Sequence, residues 1–161
     1  MSDIQTKYKE KIITFTLDGL CYALYLSVVQ RVVAAVEITP LPKAPEIVMG
    51  IINFHGQIIP VMDMRKRFRL PVREIGPDDQ FIIAQTSKRL VALVADSVTG
   101  IRDCSDIEII ETGTALPYAD YLAGVAILED NLVLINDLDK FLSTDEDKML
   151  EEATHELITD G

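Results

Sequence analysis

The residues of this chain that could do chemistry are few, and their spacing does not favour it. In 161 residues there are two histidines, His55 and His155, and two cysteines, Cys21 and Cys104. One histidine with distant acids does not make a zinc set, and the cysteines lack the C-x-x-C spacing of a metal or dithiol site. No G-x-S-x-G, G-x-x-x-x-G-K or H-E-x-x-H occurs, so nucleophilic, phosphate-cradling and zinc-hydrolase chemistry lack their frames. Asp96 and Asp103 flank the segment around Ile101, but that spacing does not of itself pair two carboxylates. These residues point to a protein with no catalytic residues, no cofactor and no metal.

Charge narrows the partners. The net charge is −11, which repels nucleic acid and anionic lipid, since both need a positive surface. The segment from Asp137 to Gly161 alone contributes −7 through nine acids against Lys140 and Lys148. One basic segment stands out, Arg65, Lys66, Arg67, Arg69 and Arg73, with only Phe68 interleaved. It reads as a solvated helix face with cations near the helix C-terminus, not as a nucleic-acid patch. The start, M-S-D-I-Q-T-K-Y-K-E-K, has no apolar stretch of signal type, and no run approaches the ~20 apolar residues that span a bilayer. The chain is expected to be cytoplasmic, with no direct membrane insertion and reduced thiols, Cys21 serving as a small buried hydrophobe.

The elements that would position any site are mostly strands. Hydrophobic residues make up 48% and aromatics 6%, with no Trp, so the core must be aliphatic. Ile12 to Leu17 and Cys21 to Leu26 flank an Asp18-Gly19 hairpin turn, and a Val-rich strand runs on to Val36. Pro40, Pro42 and Pro45 make Glu37 to Pro45 a loop, and Pro45 suits the start of a short helix ending at Gly50. A second hairpin turns at His55-Gly56, followed by a helix from Asp63, its N-cap, to Arg69. Pro71 to Asp79 is loop. Phe81 to Gln85 and Leu90 to Ala95 form a further hairpin through Ser87-Lys88. Val98 to Arg102 and Ile107 to Glu111 are shorter strands, and Thr112 to Asp120 is loop. Tyr121 to Leu128 and Leu132 to Ile135 make the last hairpin, with a short helix from Asp137 to Leu142. Asp145 to Leu157 is an acidic amphipathic helix. Many short strands with brief peripheral helices define an all-β barrel class. The organisation expected is a polar lead-in at 1–10, one domain over 11–142, and an acidic helical tail at 143–161 that either docks or stays free.

Part of the chain repeats. Gly50 to Met64, G-I-I-N-F-H-G-Q-I-I-P-V-M-D-M, aligns without gaps on Gly124 to Leu138, G-V-A-I-L-E-D-N-L-V-L-I-N-D-L. Cys21 to Val29 aligns in the same way on Leu90 to Val98. The order of both pairs is kept, which is the pattern of two similar small units rather than a solenoid.

The stretch from Gly50 to Arg65 also resembles the CheW family of chemotaxis coupling proteins. Gly50, Asn53, Gly56, Pro60, Val61, Asp63 and Arg65 match the family motif. The likeness extends over about Lys11 to Leu142, through Phe15-x-Leu17, I-T-P-L-P at Ile38 to Pro42, and V-A-L-V-A-D-S-V at Val91 to Val98. The resemblance implies a CheW-like fold of two intertwined five-stranded SH3-like β-barrels. It implies a non-catalytic adaptor between the cytoplasmic tip of methyl-accepting chemoreceptors and a CheA-type histidine kinase, whose own CheW-like domain would pair with the barrel ends. Carried over by position, a receptor groove would be lined by Ile13, Leu26, Val29 and Val32, with Asn53, His55 and Gly56 at its edge. Gly50, Pro60, Asp63 and Arg65 would be structural. Two positions depart from the family: His55 stands where an Arg is usual, and Arg31 where an acid is common. His cannot fork onto a carboxylate as Arg does, so the usual acid–Arg pairing is not expected here. The alternative left by these departures is a divergent CheW-like scaffold serving a different two-component pathway.

Overall fold

The structure, a computed structural model, describes residues 11–103, 108–110 and 119–160. The expected lead-in, the environment of Cys104 and most of the loop before Asp120 lie outside the described residues. Among the described residues there are eleven strands: β1 (Lys11–Leu17), β2 (Leu20–Tyr25), β3 (Val29–Ala34), β4 (Val48–Phe54), β5 (Gln57–Met62), β6 (Gln80–Gln85), β7 (Leu90–Ala95), β8 (Ser97–Asp103), β9 (Glu108–Ile110), β10 (Leu122–Leu128) and β11 (Asn131–Asn136). Two α-helices accompany them, the one-turn α1 (Met64–Arg67) and the long α2 (Thr144–Asp160).

The strands form two SH3-like sheets, of order β8-β1-β2-β11-β10-β9 and β3-β6-β7-β5-β4. The all-β class holds. Sheet two has the five strands expected, and sheet one gains a sixth because β8 runs on along β1 while β9 pairs with β10. Three hairpins turn through consecutive residues in the left-handed region: Asp18 (φ 52°) and Gly19 (φ 76°), His55 (φ 52°) and Gly56 (φ 82°), and Glu129 (φ 52°) and Asp130 (φ 66°). This conformation matches the natural twist of the flanking strands, and Asn, Asp, His and Gly tolerate it best. At the middle turn the Gly56 amide donates to Asn53 Oδ1 at 3.0 Å.

The repeat read from sequence is a structural one. β5 lies parallel to β7 with Val61 opposite Ala92, and β11 lies parallel to β2 with Ile135 opposite Ala23. These are the same pairs under the two sequence alignments. Each hairpin carries a register shift at the matching place, Val48/Gly50 in one and Leu122/Gly124 in the other. The Asp63 amide donates to Ile47 O at 2.7 Å, and the Asp137 amide to Tyr121 O at 2.9 Å. Asp63 then accepts from the Lys66 amide and Asp137 from the Asp139 amide, each capping the next turn of the chain.

Three apolar clusters fill the molecule. The largest draws on both sheets and includes Ile13, Phe15, Leu17, Tyr22, Leu24, Met62, Ile82, Ala84, Val91, Leu93, Phe68 and Phe141. A second lies within sheet one (Ile12, Ala23, Ala126, Val133, Ile135) and a third within sheet two (Ile52, Ile59, Val61, Phe81, Ile83, Ala92). Alternate residues of β6 feed different clusters. Phe81 and Ile83 face one and Ile82 and Ala84 the other, which is why that strand is apolar without interruption.

One expected element is replaced. The short helix from Pro45 to Gly50 is not formed; β4 begins at Val48 and Gly50 lies inside it. The reason is the neighbouring loop. Thr39 and Ile51 exchange two backbone hydrogen bonds of 2.9 and 2.8 Å, pinning the proline loop across β4. Gly50 sits under that clamp at φ 154°, where an added Cβ would lie 2.3 Å from Thr39 O. Gly50→Ala is therefore expected to cost about 2–4 kcal/mol of unfolding free energy, from backbone strain plus displacement of the loop. A urea midpoint measured against Gly19→Ala, whose Cβ would meet nothing within 4 Å, checks this. Equal losses at the two positions would rule out the clamp.

Candidate functional site

The residues singled out in the sequence fall into three places. Ile13 is 4% exposed and lies in the main core, between Leu24 of β2 and Ile101 of β8. That corrects the expectation that it lines an open groove: it is flanked on both sides within its sheet and faces the core between the sheets. Leu26, Val29 and Val32 are half-buried and pack on the same core cluster from the segment that leaves β2 and becomes β3. They form a partly open apolar stripe. Asn53, His55 and Gly56 are exposed at the β4–β5 turn.

Strand β3 separates the stripe from the turn. Val29 and Val32 pack on the main cluster, whereas Val33 packs with Phe54 on the cluster of sheet two. Arg31 crosses from β3 to the turn, with its guanidinium carbon 5.7 Å from the centroid of Phe54. The His55 ring stands edge-on to the same ring, at 4.3 Å and 85°. Phe54 is thus the residue that joins Arg31 and His55, and it was not singled out from sequence. Its place in N-F-H-G, beside the turn, was the available signal.

The basic segment after Asp63 is not a solvated face, which corrects that reading. Arg65 is 7% exposed and holds two parts of the chain together. Its Nη1 donates to Asp18 Oδ1 at 2.5 Å and to Pro71 O at 3.2 Å, and its Nη2 donates to both oxygens of Asp96 at 2.7 and 2.8 Å. Arg73 donates to Asp79 at 2.8 and 3.2 Å and also to Asp96. Burial alone would raise the Asp96 pKa, but the Arg65 hydrogen bond, the Asp18 amide and Arg73 outweigh it and hold the carboxyl below its ordinary range. Arg67 lies 5.0 Å over the Tyr121 ring and forks onto Glu146 at 2.8 and 3.0 Å. Only Lys66 and Arg69 of α1 and its exit remain exposed. The basic segment is a clip, and the partners in it are too far apart in sequence for spacing to reveal them.

The acidic tail docks. Ser143 and Glu146 form a reciprocal cap, Glu146 N to Ser143 Oγ at 3.1 Å and Ser143 N to Glu146 Oε1 at 2.8 Å. Leu150 and Ala153 of α2 enter the main core beside Phe141. Asp147, 8% exposed, takes ion pairs of 2.6 Å each from Lys88 and Arg89 in the β6–β7 turn, and Lys43 meets Glu156 at 3.1 Å. The hydrogen bond from Lys88, with Arg89 behind it, holds the Asp147 carboxyl below its ordinary range against the opposing effect of burial. Among the described residues no group of three or more His, Cys, Asp or Glu is placed to hold a metal, and no helix is long and apolar enough to cross a membrane.

Two interlocked SH3-like sheets, with a half-open apolar stripe and a polar turn at the edge of one of them, define a protein built around contact surfaces. The chain belongs to the CheW-like domain family, whose model matches residues 11–146. It is 26% identical over 138 residues to the chemotaxis protein CheW of Rhizobium meliloti, covering 84% of this chain and 89% of that protein. It is 28% identical over 135 residues to protein FrzA of Myxococcus xanthus, covering 82% and 83%. The crystal structure of the scaffolding protein TtCheW from Thermoanaerobacter tengcongensis superposes with a TM-score of 0.76 at 29% identity, covering 86% of this chain and 90% of that one.

The clip generates two expectations. Arg65→Gln should lower stability by about 1–3 kcal/mol, because it leaves Asp18 and Asp96 partly buried without their fork. The carboxyls of Asp96, Glu146 and Asp147 have lower pKa values folded than unfolded. Their stabilisation is therefore complete above the unfolded carboxylate range near ~pH 4 and is lost as pH falls through the lower folded values. Urea midpoints taken between about pH 6 and pH 3 should fall for the wild type and fall less for Asp96→Asn. A parallel decline in both would remove Asp96 from the account.

Proposed function

We propose that this chain is a non-catalytic adaptor of chemotaxis signalling, coupling methyl-accepting chemoreceptors to a CheA-type histidine kinase. The observation that carries this is the match to the CheW-like family over residues 11–146, together with a scaffold protein of the same fold at TM-score 0.76. Its mechanism is contact geometry. The half-buried Leu26, Val29 and Val32 offer apolar area to the helical hairpin tip of a receptor, and Asn53, His55 and Gly56 stand at the rim. Such helix-in-groove recognition places apolar anchors at helical spacing on a complementary stripe. The sheet ends pair with the CheW-like domain of the kinase. No cofactor, metal or nucleic acid takes part, and the net charge of −11 disfavours the last. The protein works in the cytoplasm and reaches the membrane through its partners.

A tagged copy recovered from native cytoplasm and membranes should bring down a histidine kinase together with chemoreceptors. Recovery of neither would sink the reading. A point change sharpens it: Val29→Glu should weaken receptor binding at least about tenfold, by placing a charge in a desolvated contact. Its circular dichroism and urea midpoint must stay close to wild type for the result to count. Val32→Ala, a milder truncation on the same stripe, should weaken binding by a smaller factor in the same direction. Unchanged affinity in both variants would show that the stripe is not the groove.

A further inference from the structure

The surface at the β4–β5 turn has a feature that the fold does not use. Most arginines of the described residues have a carboxylate partner: Arg65, Arg67, Arg73, Arg89 and Arg102 are all in ion pairs. Arg31 and Arg69 are exposed and have no ion pair among the described residues, although the chain carries 26 acids, and of the two it is Arg31 that lies beside the turn. Its guanidinium rests on Phe54 at 5.7 Å. A cation–π contact with an aromatic ring leaves the N–H donors of a guanidinium available to a planar acceptor. The ring also meets the His55 ring at 4.3 Å, so Arg31 and His55 flank one aromatic side chain at the rim.

We infer that Arg31, seated on Phe54 beside His55, is a carboxylate-reading position, and that the receptor segment lying along β3 presents an Asp or Glu there. The inference rests on the proposed receptor contact and specifies which receptor chemistry this chain selects. Charge complementarity commits it to an acidic partner: a bidentate Arg–carboxylate contact is both strong and directional, and a cation on the partner would be repelled at the same place. The turn adds no competing acid, since its residues Asn53, Phe54, His55, Gly56 and Gln57 include none.

The test is a titration of the full chain with the cytoplasmic fragment of a chemoreceptor from the same cell, at low and moderate salt. Arg31→Glu should weaken binding at least about tenfold. Arg31→Gln should weaken it less and flatten the salt dependence, and Arg31→Lys should fall between, keeping charge without a fork. Changing the matching acid of the fragment to Lys should restore the Arg31→Glu variant. Arg31 is exposed, so all three variants are expected to keep the wild-type urea midpoint. Wild-type binding that none of the three changes alters overturns this inference and leaves the adaptor reading standing. No binding by the wild-type chain, with the fragment shown to be folded, overturns both.

Discussion

The structure depends on an exchange of strands between its two repeats. The first repeat supplies β1 and β2 to sheet one, and β3, β4 and β5 to sheet two. The second supplies β6 and β7 to sheet two, and β8 to β11 to sheet one. Neither repeat completes a sheet with its own strands. The joints are four pairings, the parallel β5–β7 and β11–β2 and the antiparallel β3–β6 and β1–β8. Parallel strands need a long crossover rather than a tight turn, and the chain itself changes sheet twice, between β2 and β3 and between β7 and β8. The repeats cannot separate without breaking ladder hydrogen bonds in both sheets and opening the core they share. This topology makes the domain one cooperative unit, and a rigid unit suits a protein that transmits state by contact.

The two repeats keep the same joints but seal them with different chemistry. After β5, Arg65 reaches the Asp18 turn of β1–β2. After β11, the residue equivalent to Arg65 is Asp139, and its Oδ1 accepts from the amide of Ser87, equivalent to Asp18, at 2.8 Å. The cation-to-acid contact of one half is an acid-to-amide contact in the other. The continuations of the two halves differ as well. The first half runs into a loop closed by Arg73 and Asp79, and the second into α2, whose Asp147 takes Lys88 and Arg89 of the same turn. Each clip closes a hairpin turn contributed by the other sheet, so the polar contacts reinforce the strand exchange at its exposed ends.

Local features were legible in the sequence and distant ones were not. Turn residues at Asp18-Gly19 and His55-Gly56 act through their own backbone preferences, so spacing alone places them. The repeat was legible because both copies kept their order and length, and the matched pairs Val61–Ala92 and Ile135–Ala23 follow from it. The clip was not legible: Arg65 lies 47 residues from Asp18 and 31 from Asp96, and only the folded topology brings them together. The helix at Pro45 failed because a tertiary contact, Thr39 on Ile51, overrode the local preference for a helical start at proline. Ile13 was ambiguous for a physical reason. Alternation shows that a strand residue has a covered side, but not whether the cover is the protein's own core or a partner.

The same ambiguity explains why β3 is the informative strand. It is the segment handed from one sheet to the other, and it borders two different apolar regions. Val29 and Val32 lean on the core shared by both sheets, while Val33 faces the interior of sheet two. Arg31 sits between them and reaches Phe54 on the far edge strand of sheet two, so it spans the gap between β3 and β4. A substitution at 31 therefore alters the rim at Asn53–Gly56 even though the two are distant in sequence. Arg31 and His55 meet at one ring and belong to one surface. Arg31 is exposed and makes no ion pair among the described residues. The recognition group proposed at Arg31 is therefore a matter of side chains at one sheet edge and needs no element added to the fold.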